Sequence, residues 1–154
     1  MELVDAIKRA FAQCPYPGSR RIDISATTYD DEGIYDYFVG SDPFDHEVTR
    51  LRYHSVALSF FTDPAFRYWL PAFMIAELTD PIKADIIAES IAYHLSDARG
   101  AHAKIISFSE PELEAAKMFF HECIRRYPDD IGSSCFCKAL EKIEKAERGG
   151  RPKQ

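Results

Sequence analysis

The sequence predicts an all-α fold: a single compact bundle of about six helices around a buried aromatic central helix. Three observations carry this. Apolar residues recur at helical spacing over most of the 154 residues. Proline follows a capping residue at several segment starts, where its missing N–H costs nothing. Strand-like alternation is confined to Ile22 and Ile24, so the alternative is an α+β fold with a short strand near residues 21–25.

Leu3, Ile7, Ala10, Phe11 and Cys14 place an amphipathic helix over residues 2–13, ended by Cys14-Pro15-Tyr16-Pro17-Gly18. A short helix is expected from Tyr29 to Val39, with Ile34, Tyr37 and Phe38 inward. Asp30, Asp31 and Glu32 in its first turn suit the positive end of the helix dipole. Gly40-Ser41-Asp42-Pro43 breaks the chain. Val48, Leu51, Ser55 and Leu58 share a face, which predicts one helix from His46 to Phe61.

Asp63 is expected to cap the central helix, Asp63 to Leu78, with Pro64 behind it. Asp80-Pro81 repeats the signal for a helix carrying Ile82, Ile86, Ile87 and Ile91. Ser96 to Ala101 reads as a polar connection. In Phe108-Ser109-Glu110-Pro111-Glu112-Leu113, Ser109 caps and Glu112 answers three residues later. Phe108 and Leu113 bracket this capping box as a hydrophobic staple. That helix runs to Tyr127 and stops at Pro128. Ser133 or Ser134 is expected to cap a last helix bearing Phe136, Leu140 and Ile143. Residues 1–146 are read as the helical domain and 147–154 as a flexible basic tail.

The stretch from Phe60 to Phe73 holds six aromatic rings in fourteen residues. Phe66, Trp69, Leu70 and Phe73 make one face of its helix, and other apolar residues fill the rest. A helix apolar nearly all round is a buried one, so the stretch reads as core. Pro71 removes one backbone bond and predicts a kink. Arg67, among the rings, is expected to pair with a carboxylate from the acidic segment or to lie flat on Trp69 or Tyr68.

These motifs resemble a family of small bacterial proteins with no established activity. The family pattern joins a Tyr-Pro-Gly turn to a Leu-Ser-Phe-Leu-Thr-Pro-x-Ala-Phe-Arg-Tyr-Tyr-Leu-Pro-Ala-Phe core and a Ser-Pro started helix. The counterparts here are residues 16–18, 58–73 and 108–113, with Phe61-Thr62-Asp63 and Trp69 as departures. The resemblance spans most of the chain and implies the fold more than a function. Small proteins of this kind often sit beside bacterial toxin genes, which implies an immunity role.

Composition narrows the function. A formal net charge of −6 disfavours nucleic acid, which needs a basic face, and favours a basic partner. No membrane span is expected, and the charged N-terminal segment lacks an export signal. The expected location is cytoplasmic, where four cysteines fit a reducing compartment. No glycine-rich phosphate loop, serine-nucleophile motif or Cys/His protease signature is present. His121, Cys123, Cys135 and Cys137 have zinc-ligand chemistry. On a helix, however, Cys135 and Cys137 would point roughly 200° apart, so structural thiols are preferred and no cofactor is expected.

One segment stands out. From Ile22 to Thr49 there are eight acidic residues and no Lys or Arg. The candidate partner-binding residues are Tyr29, Asp30, Asp31, Glu32, Tyr35, Asp36, Tyr37, Asp42 and Asp45. Tyrosines would anchor and carboxylates would steer a basic protein. The alternative is a solvated acidic face with its rings inward. The functional expectation is a non-enzymatic binding protein, in concrete form an immunity-type inhibitor of a cognate toxin. The competing expectation is a small enzyme or metalloprotein using the Cys/His residues.

Overall fold

The computed structural model describes residues 2–22, 33–128 and 131–149. Among these residues there are ten α-helices and one 3-10 turn, and no strand. The elements are α1 (Glu2–Phe11), the 3-10 turn (Ser19–Arg21), α2 (Ile34–Phe38), α3 (Val48–Tyr53), α4 (Ala57–Phe60) and α5 (Asp63–Thr79). They continue with α6 (Pro81–Ala84), α7 (Ile87–His94), α8 (Ala101–Ser107), α9 (Glu110–Arg126) and α10 (Ile131–Arg148). No described helix is long and apolar enough to cross a membrane.

α5 is the centre, packed by α1, α3, α6, α7 and α8. α9 lies between α1 and α10, and α10 closes on α7 and α8. The core is one cluster running from Ile7 through Trp69 and Phe120 to Ile143. Phe66, Trp69, Leu70, Phe73 and Met74 are all fully buried, as a helix apolar on every side requires. α5 stays helical through the buried Pro71.

Several local expectations change. Thr62, not Asp63, caps α5: its hydroxyl accepts the Ala65 N–H at 3.3 Å, and Pro64 falls within the first turn. The helix expected from His46 to Phe61 is two short helices, α3 and α4, separated at His54-Ser55-Val56. Tertiary contact overrides the continuous pattern there, because His54 is buried with its ring stacked on Tyr37, 4.2 Å between centroids. Asp80 does cap, accepting the Lys83 N–H, but α6 stops after one turn. Asp85, at φ 56°, redirects the chain. Ile82 and Ile86 are therefore exposed, while Ile87 and Ile91 are buried.

α10 begins at Ile131, before both serines expected to cap it, and continues to Arg148. Glu147, assigned from sequence to the tail, accepts a 2.9 Å bond from Lys117. α8 was not foreseen. At residues 21–25, Arg21 ends the 3-10 turn, Ile22 is buried and its carbonyl accepts the Thr62 N–H at 3.0 Å. Residues 23–25 lie outside the described residues, as does the tail beyond Gly149.

The capping box at α9 forms in full. Ser109 Oγ accepts the Glu112 N–H at 3.3 Å, and Glu112 Oε1 accepts the Ser109 N–H at 2.9 Å. The same carboxylate is the partner of Arg67. Nε donates to Oε1 at 2.7 Å and Nη2 to Oε2 at 3.0 Å. The expected carboxylate from the acidic segment is thus replaced by one already turned inward by its own helix start. This fork clamps α5 to α9, and the pairing raises the Arg67 pKa.

Candidate functional site

The acidic segment is described from Gly33 onward. Tyr29, Asp30, Asp31 and Glu32, and the helix turn expected around them, lie outside the described residues. The remaining candidates sit on α2 and on the turn that follows it.

The turn is built from short-range chemistry. Gly40, at φ 72°, takes the left-handed conformation that lets the chain leave α2, and the Ser41 N–H closes back on the Phe38 carbonyl at 2.9 Å. Asp42 Oδ1 then accepts the Phe44 N–H at 2.8 Å. This side-chain turn holds Pro43 buried beneath it.

A polar chain anchors the turn to the core. Tyr37 OH meets His46 Nδ1 at 2.8 Å, and His46 Nε2 meets Ser41 Oγ at 3.0 Å. The indole N–H of Trp69 donates to the same Ser41 Oγ at 3.0 Å. The 24-residue gap between Tyr16 and Gly40 is closed by the Gly40 N–H donating to Tyr16 OH at 2.9 Å. Tyr16 in turn sets its ring edge-on to Tyr68 and Trp69. Below, Phe38, Phe61 and Trp69 pack ring against ring. The aromatic stretch therefore serves as floor to the acidic turn rather than as a binding face.

Electrostatics follow from burial. His46 has its pKa lowered by desolvation, against the pull of the Asp45 and Asp42 charges. Tyr37 is raised by burial, which the nearby Arg50 opposes. The guanidinium of Arg50 lies over the Tyr37 ring at 5.4 Å.

Ser41 and His46 are within nucleophile–base reach. The surrounding donors are already committed, however. Trp69 occupies a lone pair of Ser41 Oγ, the Ser41 N–H is bonded to Phe38 and the Gly40 N–H to Tyr16. Both backbone N–H groups are bonded within the fold, and the array braces the turn against the core.

What faces solvent is different in kind. Asp36, Asp42, Asp45 and Glu47 are exposed, and none takes part in an ion pair among the described residues. Tyr35 and Phe44 stand beside them at 39% and 36% exposure, enough to offer ring faces to a partner. Elsewhere many carboxylates are paired: Asp85 with Arg52, Glu122 with Arg125 and Arg126, Glu147 with Lys117. Of the candidate residues, then, Tyr35 and Asp36 on α2 and Asp42 and Asp45 on the turn after it are exposed. Tyr37 does not; it turns inward as part of the brace.

Tyr16, Ser41 and His46 were missed as supports. A glycine-led turn with Ser, Asp and His within seven residues was the available signal.

The Cys/His residues do not converge. Among the described residues no three His, Cys, Asp or Glu side chains are placed to hold a metal ion. Cys123 is buried and its thiol is pushed up by desolvation, Cys137 is exposed, and His121 is exposed on α9. No protein-family model matches the chain, and no curated protein or solved structure is significantly similar to it.

Proposed function

We propose that this chain is a non-enzymatic protein-binding module whose contact surface is α2 and the acidic turn after it, with Tyr35, Asp36, Asp42, Phe44 and Asp45. The observation that carries this reading is that four exposed carboxylates, Asp36, Asp42, Asp45 and Glu47, are in no ion pair among the described residues and lie on or next to a braced turn in the chain. Unpaired like charges repel one another in the free protein. A basic surface removes that repulsion and gains attraction on docking, which speeds encounter more than it deepens final affinity. Exposed Tyr35 and Phe44 supply apolar contact at small entropic cost, since an aromatic ring has few torsions to freeze. The brace keeps the backbone in one conformation, so little ordering remains to be done at binding.

In its concrete form, the partner is a basic cognate toxin and the module is a cytoplasmic immunity-type inhibitor. Small size, the net charge of −6 and the family resemblance support that form. The experiment is co-purification of tagged protein with the product of an adjacent gene. Wild type should retain a basic partner, and the Asp36→Asn, Asp42→Asn, Asp45→Asn variant should retain much less at equal thermal stability. Equal retention by both would place the contact surface elsewhere.

A further inference from the structure

His46 is the joint of the brace. Both of its ring nitrogens are engaged, Nδ1 with Tyr37 OH at 2.8 Å and Nε2 with Ser41 Oγ at 3.0 Å. Ser41 Oγ also accepts the Trp69 indole N–H at 3.0 Å. One imidazole therefore links α2, the acidic turn and α5. The ring is only half-buried, so protons from solvent reach it.

A neutral imidazole offers one donor and one acceptor. Of the two hydroxyls that the ring bridges, one donates to it and the other accepts from it. In one tautomer the donors run in a single direction: Trp69 N–H to Ser41, Ser41 O–H to Nε2, and Nδ1–H to Tyr37. In the other, Tyr37 O–H donates to Nδ1 and Nε2–H donates to Ser41. Protonation places a hydrogen on both nitrogens. The ring then accepts nothing, and whichever hydroxyl had donated to it loses that bond. This holds for either tautomer.

The groups around the ring decide which form the fold prefers. On its own turn, Asp42 and Asp45 favour the imidazolium, and Glu47 follows it in the chain. Burial and the neighbouring His54, whose ring stacks on Tyr37 at 4.2 Å, oppose it. Arg50 of α3 already sets a cation over the same Tyr37 ring at 5.4 Å, and α5 presents the positive end of the Trp69 N–H to Ser41. Burial is the largest effect, and the His46 pKa is lowered from 6.5. Folding thus favours the neutral ring. That contribution is complete above pH 6.5 and declines as the pH falls below it.

From this geometry we infer that the Tyr37–His46–Ser41 bridge is a proton-sensitive latch on the acidic turn: neutral His46 holds the turn to α2 and α5, and protonated His46 loosens it. The consequence for binding rests on the reading of this turn as a contact surface. A positive His46 near Asp42 and Asp45 also cancels part of the charge that attracts a basic partner. Loosening and neutralisation act in the same direction, so acid weakens docking.

Nuclear magnetic resonance of the free, full chain tests the latch without a partner, so its outcome is independent of whether the turn is a contact surface. The His46 ring should titrate with a midpoint below pH 6.5. Over the same window the amides of Gly40 and Ser41, bonded to Tyr16 OH and the Phe38 carbonyl, should lose about fivefold in protection from exchange, what one hydrogen bond is worth. Leu70 and Phe73 of α5 should keep theirs, which separates loosening from global unfolding. In His46→Gln the pH-dependent loss should vanish. Gly40 and Ser41 protection that stays flat while His46 titrates overturns the proposal, and this reading needs no variant to fold. So does a loss that a folded His46→Gln retains, or a His46 that stays neutral throughout the window.

Discussion

Glu112 binds two partners with one carboxylate: the Ser109 N–H, three residues away on its own helix start, and the Arg67 guanidinium, 45 residues away on α5. It is 2% exposed while Arg67 is 22% exposed, so removal of either partner strands charge in a largely dry site. Glu112→Ala should cost about 3–5 kcal/mol in urea unfolding, the range for breaking a buried pair. Glu112→Gln keeps the capping-box acceptor and should cost less. A double-mutant cycle with Arg67→Met should show strong coupling; additive losses would mean the fork contributes nothing beyond its separate ends.

Trp69 is fully buried, stacked on Phe61 and bonded to Ser41. Trp69→Ala should destabilise by about 3–5 kcal/mol, as large cavities do. Trp69→Phe keeps most of the packing but leaves Ser41 without its donor. It should cost less and loosen the acidic turn, seen as faster amide exchange at Ser41 and Asp42. A loss below about 1 kcal/mol for the alanine variant would contradict the core assignment.

Much of this architecture was legible because its causes are local. The Phe108–Leu113 signature needs only six residues to specify a capping box, and the all-apolar α5 could only be buried. What was not legible depended on distant partners. The pattern through His46 to Phe61 reads as one helix until Tyr37 stacks on His54 and the chain turns. Ile82 and Ile87 are the same residue type, and only the positive φ at Asp85 puts one outside and the other in. Arg67 announced a need for a carboxylate, but Glu112 was already accounted for by its own helix start. The acidic run was visible as charge; that its described exposed members lack cations is a fact of three-dimensional placement.

His94 sits partly buried with Nε2 at 3.3 Å from Ser59 Oγ. Burial, helped by Lys104, lowers its pKa from 6.5 to about 4. The unfolded chain therefore takes up a proton below pH 6.5 that the folded protein refuses. The neutral histidine's stability is fully present above 6.5 and is lost as pH falls toward 4. Thermal melts across that window should show a slope that His94→Gln flattens. An identical slope in the variant would assign the pH dependence to other groups.

The thiols should react in the order of their burial. Cys137 is exposed, Cys135 intermediate, and Cys14 is buried with its pKa pushed up to about 11 by desolvation. Thiolate-specific labelling of native protein should modify Cys137 first and leave Cys14 and Cys123 untouched until unfolding. Cys135→Ser with Cys137→Ser should leave metal content and folding unchanged. Stoichiometric zinc in the wild type, lost with stability in that variant, would restore the metalloprotein alternative.

The central claim is that the braced acidic turn is a contact surface for a basic protein. Stopped-flow association with the co-purifying partner, over a salt series, tests it most directly. Asp36→Asn, Asp42→Asn and Asp45→Asn together keep shape and the Asp42 turn bond while removing three charges. The account predicts slower association, a flatter salt dependence and an unchanged melting temperature, because long-range attraction acts on encounter. Tyr35→Ala should act on dissociation instead, as a lost anchor does. A folded triple variant that associates at the wild-type rate, with the wild-type salt dependence, would contradict the claim and leave the acidic turn as a solvated surface only.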